Sequence, residues 1–163
     1  MARPKNIVVS TEVPVEDERR GEKFRIQRRR LGAATGAEKL GCSLFELQPG
    51  KSAFPKHKHL ANEEAVYVLE GEGVLCQDDS EHPIREGDYI SFRADAEAHQ
   101  IVNRSGAPLR FLALSTMISP EVVIYPDSQK LGVRWRPPET SGRRPVIANY
   151  RLSSGVDYWE GEE

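Results

Sequence analysis

Hydrophobic positions in this chain fall in short runs broken by glycine, proline and charged turns, the texture of many short strands rather than of long helices. Glu64 to Glu70, centred on Val66, Tyr67 and Val68, predicts one strand. Gly71-Glu72-Gly73 interrupts it and Val74-Leu75-Cys76 resumes, which is a hairpin with glycine supplying the turn. Cys42 to Leu47 predicts a strand closed by Pro49-Gly50. Glu81 to Arg85 and Tyr89 to Phe92 flank the turn Glu86-Gly87-Asp88. His99 to Val102 ends at Asn103, and Arg110 to Thr116 is a strongly apolar strand. Phe24 to Leu31 alternates weakly, Gly32 to Gly41 reads as a loop or a short helical turn, and Val122 to Tyr125 and Leu131 to Arg136 read as further short strands. Residues 1–22 predict an extended arm, with Ile7 to Val9 pairing against a sheet edge.

The histidines change this picture. The chain has four, and two of them, His57 and His59, stand one residue apart. Residues i and i+2 of a strand point the same way, so these two present their nitrogens on one face. Glu64 opens the next strand, and His99 opens another 35 residues further on. Ligands from three separate strands converge only if the sheet curls into a barrel. The fourth histidine, His82, falls in the polar stretch after Gln77-Asp78-Asp79 and reads as a solvated turn residue.

These residues resemble the cupin family of double-stranded β-helix barrels. Gly50, His57, His59, Glu64 and Gly71 match its first motif, with one extra residue between Gly50 and His57. Gly87, His99 and Asn103 match its second, with one extra residue after Gly87, and with Ala94 and Ala96 where proline and glycine usually stand. The resemblance spans roughly residues 40–117. It implies an all-β, jelly-roll-like fold in a single domain, residues 1–163, with a barrel core at about 24–117 and extended arms at 1–23 and 118–163. It also implies one divalent transition metal (Mn, Fe, Zn, Ni or Co) held by His57, His59, Glu64 and His99. Glu63 competes with Glu64, but the spacing to Gly71 selects Glu64 and turns Glu63 outward.

Such a ligand set leaves a divalent ion with a charge of about +1 and one or two open positions, suited to polarising a carbonyl or stabilising an oxyanion. Three readings stay open: a metal-dependent isomerase of a small polar metabolite, a non-haem iron dioxygenase, and a binding or sensor module without turnover. A general base would be needed for isomerisation; the candidates are Glu46 and Tyr67. Arg93, in the loop leading to His99, is the candidate for binding an anion. The segments VVIYPDSQKLGV and DYWEGE resemble a bacterial subgroup of single-barrel cupins labelled sugar phosphate isomerases, a label that is analogy at the level of fold.

Composition narrows the partners. The net charge is −2, which gives no electrostatic case for nucleic acid or membrane. Ile7-Val8-Val9 is too short for a signal core or a membrane span, and the two cysteines, Cys42 and Cys76, suit reduced thiols. These features predict a cytoplasmic protein whose partner is a small metabolite of the sugar phosphate class. Arg28-Arg29-Arg30 reads as the solvated face of an edge strand, with an anion patch as the competing reading. Tyr158 and Trp159 predict a tail docked on its own barrel or on a neighbouring subunit. Sheet edges and an apolar outer face predict a homodimer.

Overall fold

The computed structural model describes residues 3–137 and 139–162. Strands β1 (Glu16–Arg20) and β2 (Phe24–Arg29) are followed by one turn of helix, α1 (Leu31–Ala34), and then by β3 (Leu40–Leu47) and β4 (Lys58–His59). β5 (Glu64–Glu70), β6 (Glu72–Gln77), β7 (Ser80–Arg85), β8 (Tyr89–Phe92), β9 (His99–Val102) and β10 (Leu109–Thr116) come next. β11 (Glu121–Tyr125), β12 (Lys130–Trp135) and β13 (Val146–Arg151) complete the chain. The fold is the all-β double-stranded β-helix expected from the sequence. No helix among the described residues is long and apolar enough to cross a membrane.

The strands form three antiparallel sheets: β1-β2-β3-β10-β5-β8, β13-β12-β11-β4 and β7-β6-β9. Alternation decides which side chains turn inward. Ile26, Phe45, Leu47, Val66, Val68 and Phe111 from the six-stranded sheet pack with Leu75, Ile84 and Ile101 from the three-stranded one. Phe45 stacks on Phe111 at 5.4 Å and meets the edge of Phe54 at 5.7 Å. Asn103, fully buried, ties this core to its rim. Its amide donates to the carbonyls of Leu47 (2.9 Å) and Ala107 (2.8 Å) and accepts from the Ser105 amide (2.9 Å) and hydroxyl (2.8 Å). Every polar atom of a buried amide is thereby used, which is the condition for burying one.

The single-residue connection between β5 and β6 depends on Gly71. Its φ is +85°, and a Cβ there would lie 2.6 Å from the Pro108 carbonyl oxygen. His82 is not in the turn; it lies exposed on β7, opposite Leu75. At the N-terminus the expected pairing is displaced. Ile7 to Val9 form no strand, and it is the charged run Glu16–Arg20 that pairs with β2. The reason is electrostatic: Glu16 accepts from both Arg28 and Arg30, and Glu18 from Arg28, while Arg29 donates to the carbonyls of Thr11 and Val13. The arginine run is therefore engaged within the chain, and it lies not on an edge strand but on β2, which is paired on both sides by β1 and β3. The C-terminal tail does not dock on its own barrel. Tyr158 and Trp159 are 82% and 70% exposed and meet each other edge to face at 4.7 Å.

Candidate metal centre

Each sheet delivers part of the site. His59 lies on β4, with His57 just before it; Glu64 opens β5; His99 opens β9. His57 and His99 form a backbone pair, His57 N–H donating to His99 O (3.1 Å) and His99 N–H to His57 O (2.8 Å). That bridge sets the two imidazoles side by side, with ring centroids 4.8 Å apart. Glu64 has the same parity on β5 as the buried Val66 and Val68, so its carboxylate turns inward, and Glu63 is exposed.

The donor atoms converge. His57, Glu64 and His99 each offer a ligand atom within 4.8 Å of the others'. His59 lies beside them, its Nε2 3.5 Å from Glu64 Oε2, and His99 Nε2 lies 3.4 Å from the same oxygen. His57 Nδ1 donates to the Pro55 carbonyl at 2.8 Å, which leaves Nε2 as the free lone pair. The His99 ring lies flat against Phe92, with centroids 3.7 Å apart and planes 10° from parallel. Desolvation among these rings, with His99 adding to it and Glu64 opposing it, drives the His57 pKa down to about 4. Burial acts to raise the Glu64 pKa, but the His99 hydrogen bond and the three imidazoles outweigh it and hold the carboxyl below its ordinary value. The donor set fits a divalent transition metal: three imidazoles, that of His57 with depressed proton affinity, one ionised carboxylate and no thiol.

Two further residues at the site come from β11 and were not foreseen. Glu121 is 4% exposed. Its carboxylate accepts from the amides of Leu60 (3.1 Å), Ala61 (3.3 Å) and Asn62 (2.8 Å) and from the Asn62 side chain. Its Oε1 stands 3.8 Å from His59 Nδ1, a buried nitrogen with no hydrogen-bond partner. The Tyr125 ring faces that of His57, with centroids 6.1 Å apart and planes 29° from parallel. A usable signal existed: Glu121 heads an apolar strand, EVVIY, as Glu64 heads EAVYV.

The proposed bases lie elsewhere. Tyr67 is 41% exposed on the outer face of β5. Glu46 alternates with the buried Phe45 and Leu47 and approaches Arg110 (3.9 Å), which also pairs with Glu70 (3.0 Å) on that outer face. Neither faces the histidines. Arg93 does border the site, in a narrow recess shared with His59, Asn62, Glu64, Glu97 and His99. A larger groove of about 370 Å³ runs past Lys58, Asp95 and Ile124. It shares Lys58 and Glu97 with the recess, and Lys58 there pairs with Asp95 at 2.7 Å. The loop carrying Ala94 and Ala96 dispenses with the usual glycine because the left-handed residue is Asp95, at φ +55°. Its amide donates to His59 O at 2.7 Å, fastening the loop to the ligand strand.

Residues 43–115 match the Cupin domain family. The fold superposes on a candidate sugar phosphate isomerase from Acidithiobacillus ferrooxidans with a TM-score of 0.80, at 26% identity over 94% of this chain and 96% of that one. A sugar phosphate isomerase of the cupin superfamily from Silicibacter pomeroyi gives a TM-score of 0.71, at 33% identity over 79% of this chain and 78% of that one. This chain belongs to the cupin superfamily. An oxalate-binding protein from Thermotoga maritima is 37% identical over 74 residues, 45% of this cupin, and the match spans 60% of that relative's length. Glu121 and Tyr125 lie beyond the matched family segment. The Acidithiobacillus superposition leaves only about ten residues of this cupin uncovered, so it takes in most of the C-terminal sheet as well.

Proposed function

We propose that this cupin is a metal-dependent isomerase of small phosphorylated sugars, with the ion held by His57, His59, Glu64 and His99. The observation that carries the reading is the convergence of three imidazoles on one ionised carboxylate in a fold shared nearly end to end with a candidate sugar phosphate isomerase. A divalent ion bound there supplies Lewis acidity for a carbonyl and its developing oxyanion. The chain's own residues do the rest. Pro55 O fixes the His57 ring, Phe92 holds His99 in plane, and Glu121 fixes the backbone that follows His59. Glu46 and Tyr67 face away from this cluster.

The test is elemental analysis of untagged protein, with His57→Ala and His99→Ala alongside, followed by proton NMR of aldose and ketose phosphates incubated anaerobically with the metal-loaded protein. The reading expects near-stoichiometric metal, lost in both variants, and interconversion of at least one phosphorylated sugar. Metal retained in both variants would remove the site, and no interconversion across four- to six-carbon phosphates would remove the activity.

A second reading, metal-dependent binding of a small dicarboxylate without turnover, is favoured by the oxalate-binding relative. Tight oxalate binding with no isomerisation would select it. A homodimer belongs to the same proposal, with the exposed C-terminal residues Ile147, Tyr150, Val156, Tyr158 and Trp159 at its interface.

A further inference from the structure

The face of the C-terminal sheet that looks toward the histidines carries more positive charge than its contacts neutralise. Register fixes the face: Val123 pairs with His59, so Glu121, Val123 and Tyr125 share the side of the donor atoms. Cross-strand neighbours share a face, which places Lys130 beside Tyr125, Gly132 beside Val123 and Arg134 beside Glu121. On the next strand, Arg151 stands beside Lys130 and Asn149 beside Gly132.

Arg134 thus lies directly opposite a buried carboxylate and does not pair with it. Glu121 is occupied by the amides of residues 60–62. The guanidinium instead turns along the strand: Nη1 donates to Val133 O and Ala148 O (3.0 Å each), and Nη2 to Asn149 Oδ1 (2.9 Å) while approaching the Tyr125 hydroxyl (3.4 Å). Gly132 is what admits it. A Cβ at that position would stand 2.9 and 3.1 Å from the two terminal guanidinium nitrogens and 2.7 Å from Asn149 Oδ1. Lys130 Nζ sits 5.6 Å from the centre of the Tyr125 ring. Its direct cross-strand partner is Arg151, and like charges in that relation are destabilising unless an anion lies between them. Among the described residues, none of Lys130, Arg134 and Arg151 has a carboxylate oxygen within 4.0 Å. Arg28, Arg104 and Arg110 on the barrel are each paired.

We infer that Lys130 and Arg134, with the Tyr125 hydroxyl between them, form the seat for the phosphate group of a phosphorylated substrate whose carbonyl end reaches the histidine cluster. The inference deepens the isomerase reading and rests on it for the substrate's other end. The chemistry is that of phosphate recognition: a guanidinium charge held in place by its strand contacts, an ammonium and a hydroxyl donor. One tyrosine ring separates this seat from His57, which suits a short sugar chain bridging the two and not oxalate, whose carboxylates are joined directly.

Calorimetric titration decides it, with inorganic phosphate on the metal-free protein and with ribose 5-phosphate, ribose and oxalate on the manganese-loaded protein. Wild type should bind inorganic phosphate and ribose 5-phosphate. Lys130→Gln and Arg134→Gln should each weaken both by tenfold or more, with metal content unchanged. Arg134 also bonds across the β12–β13 ladder, so Lys130→Gln, which removes no hydrogen bond found in the structure, is the arm in which the fold is preserved. Phosphate binding that depends on both residues, in a protein that isomerises nothing, would support the seat and sink the isomerase reading. Turnover of a sugar phosphate with KM unchanged in both variants would leave the isomerase and overturn the seat. Failure of wild type to bind either phosphate, or binding of oxalate alone and unaffected by both substitutions, would also overturn it.

Discussion

At the scale of single residues, the site is governed by side chains that touch a ligand candidate rather than by the candidates alone. Glu121 is the clearest case. Replacing it with alanine takes the acceptor from the amides of Ala61 and the buried Asn62, and should lower stability by about 2 kcal/mol in denaturant titration. Glu121→Gln should lower metal affinity by about tenfold, read by competition with a chelator, because the group facing His59 Nδ1 loses its charge. The titrating groups act together. His57 is shifted from 6.5 to about 4, and Glu64 is held below 4.5. Both bind fewer protons folded than unfolded as pH falls, so their contribution is complete above pH 6.5 and is lost on acidification toward pH 4 and below. The Tm of the metal-free protein should therefore fall across that window, and His57→Asn should flatten its upper part; an unchanged slope would refute the assignment to His57.

At the scale of elements, the strands were legible wherever a turn signal and an alternation coincided. Tyr89–Phe92, His99–Val102 and Glu64–Glu70 begin and end where the sequence places them; buried residues alternate in the first and third, whereas His99, Gln100 and Ile101 are all buried. The N-terminal pairing was misplaced because hydrophobicity pointed to Ile7–Val9, whereas the edge strand is chosen by complementary charge between Glu16, Glu18 and the arginines of β2. Glu121 and Tyr125 were missed for a different reason. The pairing of β11 with β4 spans about 60 residues of sequence, and no local pattern reports a contact so distant. The tight joint between β5 and β6 gives a test at this scale. Gly71→Ala combines a left-handed φ with a Cβ 2.6 Å from Pro108 O and should cost about 2–4 kcal/mol, measured by urea unfolding.

At the scale of the whole molecule, the segment after the apolar strand β10 is a wall of the site. Ending the chain after Met117 would remove the partner strand of β4 and the carboxylate behind His59. The truncated protein should lose its metal in elemental analysis even where circular dichroism still shows β structure. The tail makes its own prediction: sedimentation should give a species of about 37 kDa, twice the 18.3 kDa chain, and Trp159→Ala with Tyr158→Ala should shift it toward the monomer. A monomer at all concentrations would refute that interface. Finally, the candidate ligands reside on β4, β5 and β9, one from each of the three sheets. A cation held among them is a rivet through three plates, and whatever binds the folded chain alone raises its resistance to unfolding with its own concentration. On the proposed site, protease survival of this protein should thus follow the availability of the ion, so that a cell short of that metal would lose the protein itself.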